Sequence, residues 1–100
     1  MKLIVTIPAF NEEKTIGKVI EEIPKKIPGI DKIEILVIND GSNDKTEKIA
    51  KDLGAIVIHN KENLGLAVSF RKGLEKALDL GADIIVNTDA DFQYDQKQIL

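Results

Sequence analysis

Four short runs of apolar, mostly β-branched residues divide this chain, and they constrain its fold more than any other feature. The runs are Leu3–Ile7, Ile35–Ile38, Ala55–Ile58 and Ile84–Val86. Their apolar residues are continuous rather than alternating with polar ones, which is typical of strands that are buried on both faces. We therefore predict four strands of a parallel sheet.

Between these runs, apolar residues at helical spacing mark three helices. Pro24, Gly54 and Gly81 are predicted to end them, since proline and glycine stop helices. The marking residues are Ile16, Val19, Ile20 and Ile23 in the first helix, Ile49 and Leu53 in the second, and Leu66, Phe70, Leu74, Ala77 and Leu78 in the third.

The alternation of strands and helices predicts an α/β fold in which helices cover both faces of a parallel sheet. The chain of 100 residues is the size of a single domain, residues 1–100. We predict the strand order 3-2-1-4, which makes strands one and four neighbours. Ligands of such sheets bind beyond the carboxyl ends of the strands, near the point where the order reverses.

Composition excludes several classes of function. The net charge is −3 with both signs interspersed, which disfavours a nucleic-acid surface. The absence of cysteine excludes disulfides, thiolate zinc sites and cysteine nucleophiles, and it fits a cytoplasmic location. No segment reaches the ~20 apolar residues that a membrane-spanning helix needs.

Polar clusters follow three of the strands, at 8–13, 39–42 and 88–94. One interpretation is helix capping, with Asn11 and Asn43 as caps and with Glu13 and Asp44 beside the positive ends of helix dipoles. A further capping box begins at Asp95, with Gln98 three residues on.

Asp89 and Asp91 precede that capping box. If the backbone stays extended through them, their side chains point to one face. Two carboxylates on one face suit a hard cation such as Mg²⁺ or Mn²⁺. The residues alone leave a metal site and an ordinary Asx-turn open as alternatives.

Three stretches together resemble the N-terminal half of the family 2 glycosyltransferases. They are Ile7-Pro8-Ala9-Phe10-Asn11-Glu12-Glu13, Val37-Ile38-Asn39-Asp40-Gly41-Ser42 and Asp89-Ala90-Asp91-Phe92-Gln93. The resemblance implies the GT-A fold, whose donor-binding half is a Rossmann-like α/β sheet. Within this family, the sequence most resembles the polyprenol-phosphate sugar synthases, such as dolichol-phosphate mannosyltransferases.

The resemblance implies a site for a UDP- or GDP-sugar and inverting transfer. It places Pro8, Phe10 and Glu12 around the nucleoside, Asp40 on the base, and Asp89 and Ala90 beside the donor. Asp89, Asp91 and Gln93 would hold Mg²⁺ or Mn²⁺ on the donor diphosphate, and Asp91 carries the catalytic role. Phe10 stands where the family usually has tyrosine, and Asn39 where it often has aspartate.

The family's acceptor-binding half follows the Asp-x-Asp motif, so these residues correspond to a donor-binding half, which by itself is expected to be inactive. The resemblance makes a lipid phosphate a candidate acceptor, which would bring the chain to the cytoplasmic membrane surface. Strand four would be an open edge, so we predict that residues 83–88 pair with a second copy as a homodimer or are covered by the C-terminal residues. Alternative functions are a nucleotidyltransferase and a non-catalytic nucleotide-binding or dimerising module.

Overall fold

The computed structural model describes residues 1–89, and within them it confirms the predicted parallel sheet. The strands are β1 (Lys2–Ala9), β2 (Lys32–Asp40), β3 (Ile56–Asn60) and β4 (Ile84–Asn87). The helices are α1 (Ile16–Glu22), α2 (Thr46–Asp52) and α3 (Leu66–Asp79). The strand order is β3-β2-β1-β4, as predicted, and every pairing is parallel.

The two faces of the sheet carry separate apolar cores because side chains alternate along each strand. On one face Val5 and Ile7 of β1 pack with Val19 and Ile20 of α1. On the other face Ile4, Leu36 and Ile38 pack with Ala77 of α3. Helices therefore cover both faces, and the central strands β1 and β2 are the most deeply buried elements.

The third helix is present as predicted, but its buried face differs from the one that its apolar spacing indicates. Ser69, Gly73 and Ala77 are its buried residues. Leu66 and Leu78, by contrast, remain 67% and 60% exposed. The cause is close approach to the sheet: a Cβ added at Gly73 would lie 2.6 Å from Cδ1 of Ile38. Only small residues fit there.

The exposed apolar flank of α3 consists of Leu66, Phe70, Leu74 and Leu78. On the opposite flank, Nζ of Lys72 donates to Oδ1 of Asn60 in β3 at 2.8 Å. The apolar flank therefore faces the β4 side of the sheet.

Strand β4 pairs with β1 and, within residues 1–89, with no other strand. Its residue Ile84 is 37% exposed, so this edge is only partly covered by the described part of the chain. Asp83 anchors its start by accepting the N–H of Lys2 at 2.7 Å. Across residues 1–89, none of the helices has the length and apolar character needed to cross a membrane.

Candidate functional site

A cleft of about 390 Å³ lies beyond the carboxyl ends of β1 and β2. This is where the reversal of strand order predicts a ligand site. Five residues that the sequence analysis assigned to the donor site line it together: Pro8, Phe10, Glu12, Asp40 and Asp89. The other predicted site residues, Ala90, Asp91 and Gln93, lie outside the described residues, as does the capping box at 95–98.

Asp40 ends β2 on the wall of the cleft and is only 5% exposed. Its Oδ1 accepts hydrogen bonds from the N–H of Leu64 at 2.8 Å and from Nδ2 of Asn60 at 2.9 Å. Its Oδ2 accepts the N–H of Gly65 at 3.0 Å. The carboxylate thus ties the end of β2 to the turn that leads into α3.

Burial by itself would raise the pKa of Asp40, because it penalises the charged form. The hydrogen bonds from Leu64, Asn60, Gly65 and the hydroxyl of Ser69 outweigh burial and hold the pKa below its ordinary value. At neutral pH the cleft therefore contains a buried, ionised carboxylate.

Asn39 points to the other side of β2, as strand alternation requires. Its Nδ2 lies 3.0 Å from Nδ1 of His59 and donates to Oε1 of Glu47 at 3.3 Å. Nδ1 of His59 is also 2.9 Å from Oε1 of Glu47. His59 therefore has a carboxylate partner that the sequence did not indicate, and Asn39 lies in a different cluster from Asp40.

The loops after β1 and β2 bind each other, and this corrects the capping interpretation. Neither α1 nor α2 has a side-chain cap at its N-cap residue. Instead the N–H of Asn11 donates to Oγ of Ser42 at 2.9 Å, and Oδ1 of Asn11 accepts the N–H of Asn43 at 2.9 Å. Asn11 thus holds the two loops together instead of capping a helix, because its side chain accepts an N–H of the opposite loop.

A second reciprocal pair continues the same bridge. The N–H of Glu13 donates to Oδ2 of Asp44 at 3.2 Å, and the N–H of Lys45 donates to Oε2 of Glu13 at 3.3 Å. Burial would raise the pKa of Asp44, but its bonds from Thr46 and from the N–H of Glu13 lower it. Carboxylates that were predicted to face helix dipoles thus accept hydrogen bonds from backbone N–H groups.

Thr46 links this bridge to the cleft. It is fully buried, with 0% exposure, and its Oγ1 accepts the N–H of Glu12 at 2.9 Å while donating to Oδ1 of Asp44. Because Glu12 lines the cleft, Thr46 fixes the backbone at one wall of the site.

A divalent cation is compatible with the described part of the site, though that part does not form a complete ligand set. Asp89 brings a half-buried carboxylate to the cleft, and Glu12 brings a second one. Oxygen donors of this kind suit Mg²⁺ or Mn²⁺. Within residues 1–89, no three acidic, histidine or cysteine side chains are grouped closely enough to hold a metal ion.

Several residues of the cleft were missed by sequence reasoning. Asn63, Gly65, Leu66 and Ser69 line it from the turn after β3 and the start of α3. The available signal was position: this turn also follows the carboxyl end of a strand, as ligand-binding segments do. Arg71, on the same helix, is 70% exposed and pairs loosely with Glu75, so it is a solvated residue in this structure.

Comparison with known proteins agrees with the fold. The family described as glycosyl transferase family 2 matches residues 4–100, which is nearly the whole chain. The chain therefore belongs to glycosyl transferase family 2.

Similar proteins within the family differ in their acceptors. Glucosyl-3-phosphoglycerate synthase of Petrotoga mobilis is 42% identical over 93% of this chain and 30% of its own length. UDP-N-acetylglucosamine–dolichyl-phosphate N-acetylglucosaminyltransferase of Methanococcus voltae is 36% identical over 88% of this chain and 40% of its own. The chain thus spans less than half the length of these two relatives.

A solved structure shows the same fold. Glucosyl-3-phosphoglycerate synthase of Mycobacterium tuberculosis, in complex with Mn²⁺, UDP and glucosyl-3-phosphoglycerate, superposes with a TM-score of 0.74. It is 32% identical, and the match covers 90% of this chain and 33% of that one. The GT-A identity that the sequence predicted is confirmed.

Proposed function

We propose that this chain is the donor-binding part of a metal-dependent glycosyltransferase that binds a UDP- or GDP-sugar in the cleft. The observation that carries the proposal is the convergence of Pro8, Phe10, Glu12, Asp40 and Asp89 on one cleft at the switch point of the sheet. These residues come from three separate segments of the sequence. Their assembly matches the site that the family resemblance implies.

The cleft offers chemistry that suits a nucleoside diphosphate. Phe10 is 43% exposed at its rim, which leaves an aromatic surface for a nucleobase to contact. Glu12, Asp40 and Asn63 add polar groups to the lining of the cleft. The nucleoside is proposed to lie among these residues, with its diphosphate directed toward Asp89.

Asp89, together with Asp91 and Gln93, is proposed to hold Mg²⁺ or Mn²⁺. When bound, such a cation stabilises negative charge on a departing nucleoside diphosphate as a Lewis acid. This role explains why Asp89 and Asp91 are separated by a single residue. The similar enzyme of Mycobacterium tuberculosis was crystallised with Mn²⁺ and UDP, which supports a divalent metal here.

We propose that the transfer inverts the configuration of the sugar. The proposed acceptor is a lipid phosphate, because one relative acts on dolichyl phosphate. A lipid acceptor would place the chain at the cytoplasmic membrane surface. A phosphate acceptor is largely ionised near neutral pH, so it needs no general base from this chain.

Calorimetry tests the donor part of the proposal. UDP, GDP, CDP and NAD are titrated into the chain with and without Mn²⁺. We expect saturable binding of UDP or GDP that strengthens with Mn²⁺, and no binding of NAD. Absence of binding to every nucleotide would overturn the proposal. Binding that persists unchanged without metal would favour a non-catalytic nucleotide-binding module.

A further inference from the structure

Thr6 is the one polar residue in the apolar run Leu3–Ile7 of β1, and its side chain is buried, with 3% exposure. It lies beneath α3, since a Cβ added at Gly73 would be 3.6 Å from Cβ of Thr6. Valine has nearly the same volume and would fill this position without a polar group. A hydroxyl buried here needs a hydrogen-bond partner, and its partner lies on β4.

The Thr6 side chain binds the end of β4. Its Oγ1 donates to Oδ1 of Asn87 at 3.0 Å and lies 3.5 Å from the main-chain oxygen of Val86. The main-chain oxygen of Thr6 accepts the N–H of Thr88 at 2.9 Å. One residue of β1 thus contacts three consecutive residues at the end of β4, and the pairing of the two strands ends at Thr6 and Asn87.

Asp89 follows these contacts directly. Thr88 is fully buried, whereas Asp89 is half-buried and lines the cleft. Within residues 1–89, β4 pairs with no strand other than β1. The direction in which the chain leaves the sheet toward Asp89 is therefore set from the β1 side. A side-chain hydrogen bond at Asn87 restricts the backbone just before the residue whose carboxylate reaches the cleft.

We infer that Thr6 and Asn87 are positioning residues for Asp89: their hydrogen bond fixes the end of β4 so that the Asp89 carboxylate faces the cation. The role toward the cation rests on the proposed function, whereas the fixing of the β4 end does not. Neither residue lines the cleft. The pair is therefore expected to strengthen cation-dependent binding of a nucleoside diphosphate and to leave metal-free binding of the nucleoside unchanged.

Three variants isolate the hydrogen bond. Thr6→Val keeps the volume and removes the donor, and Asn87→Ala removes the acceptor. The double variant Thr6→Val/Asn87→Ala measures their coupling, because the effects of two residues that interact are not additive.

Two further variants are controls. Thr6→Ser keeps the hydroxyl and is the matched control for Thr6→Val. Ile4→Val shortens a fully buried side chain in the core that β1 shares with α3. It shows what a loss of core packing does by itself.

The first measurement is hydrogen exchange of the Thr88 amide by NMR, without ligand. We expect exchange to accelerate about fivefold in Thr6→Val and in Asn87→Ala, because a hydrogen bond that stabilises the end of β4 is lost. The double variant should exchange no faster than either single variant, and both controls should exchange at the wild-type rate. Wild-type exchange in Thr6→Val, or additive acceleration in the double variant, would overturn the inference.

The second measurement is calorimetry with two kinds of ligand. UDP and GDP are titrated at a fixed concentration of Mn²⁺, and uridine and guanosine are titrated without metal. We expect Thr6→Val and Asn87→Ala to bind the diphosphate that wild type binds about fivefold more weakly, at unchanged affinity for the nucleoside. Thr6→Ser and Ile4→Val should bind both ligands as wild type does.

Two results of this titration would overturn the inference. Unchanged diphosphate affinity in Thr6→Val would mean that the pair serves only stability. An equal loss of nucleoside affinity would mean that the pair shapes the whole cleft instead of placing Asp89. If wild type binds neither UDP nor GDP, the proposed function fails and the role toward the cation fails with it. Exchange of the Thr88 amide then still decides whether the pair fixes the end of β4.

Discussion

The hydroxyl of Thr46 accepts a hydrogen bond from the backbone N–H of Glu12 at 2.9 Å. This bond joins the loop after β1 to the first residue of α2, 34 positions apart in sequence. Because Thr46 also donates to Asp44, the hydroxyl is satisfied in both directions. A wall of the cleft thus depends on a buried side chain outside it.

Thr46→Val tests this dependence. Valine keeps the volume but leaves the N–H of Glu12 without its acceptor, so the free energy of unfolding should fall by about 1–3 kcal/mol. Nucleotide binding should weaken as well, because Glu12 lines the cleft. Thr46→Ser retains the hydroxyl and is the control. Equal nucleotide affinity of the two variants, measured by calorimetry, would contradict the role of this bond.

Asp91→Asn tests the metal. If Asp91 is a ligand, nucleoside diphosphate binding should lose its dependence on Mn²⁺, because the charge that attracts the cation is gone. If Asp91 serves only in a turn, asparagine should substitute almost silently. Asp95→Asn is the control and should behave as wild type in the same titration. Identical Mn²⁺ dependence of wild type and Asp91→Asn would refute the ligand assignment.

The stability of the chain should fall on acidification, in part through Asp40. Folding lowers the pKa of Asp40, so its charged form stabilises the fold. This stabilisation is complete above the ordinary pKa near 4 and is lost as the pH falls through the lower folded-state value. Urea unfolding between pH 7 and pH 3 should show the loss mainly below about pH 5. Asp40→Asn should show a shallower decline, and an unchanged decline would exclude this contribution.

Within residues 1–89 the outer edge of β4 is unpaired, which predicts association of two copies through residues 83–88. Light scattering should show a dimer whose population rises with protein concentration. Ile84→Lys places a charge on this edge and should shift the equilibrium to the monomer. Leu53→Lys, at a residue of similar exposure directly after α2, should leave it unchanged. A wild-type monomer at every concentration would rule out the dimer.

The large apolar residues of α3 are exposed, so we expect substitutions there to change stability little. Leu78→Ala should change the free energy of unfolding by no more than about 0.5 kcal/mol, because Leu78 is largely exposed. Ile38→Ala, in the core beneath the helix, should cost about 2–5 kcal/mol. Urea denaturation measures both. A large loss for Leu78→Ala would mean that this flank is covered in solution.

The sequence by itself determined the four strands, their order and the family. Continuous β-branched runs are strong signals because a buried parallel strand has apolar neighbours on both faces. The order followed from the alternation of strands and helices and from the family's fold. The donor-site residues Pro8, Phe10, Glu12, Asp40 and Asp89 could be named in advance because the family resemblance implies them.

Only the tertiary structure decided how those residues are held. Local patterns suggested that Asn11 caps a helix, but its side chain accepts an N–H from a loop more than 30 positions away. Asp44 accepts both the N–H of Thr46 at the start of α2 and the N–H of Glu13 in the other loop. The buried face of α3 was likewise settled by the close approach of Gly73 to Ile38. Sequence periodicity shows which residues are apolar. Contacts between distant segments depend instead on the distance at which helices and strands pack against each other. That distance is fixed only when the whole sheet and its helices assemble.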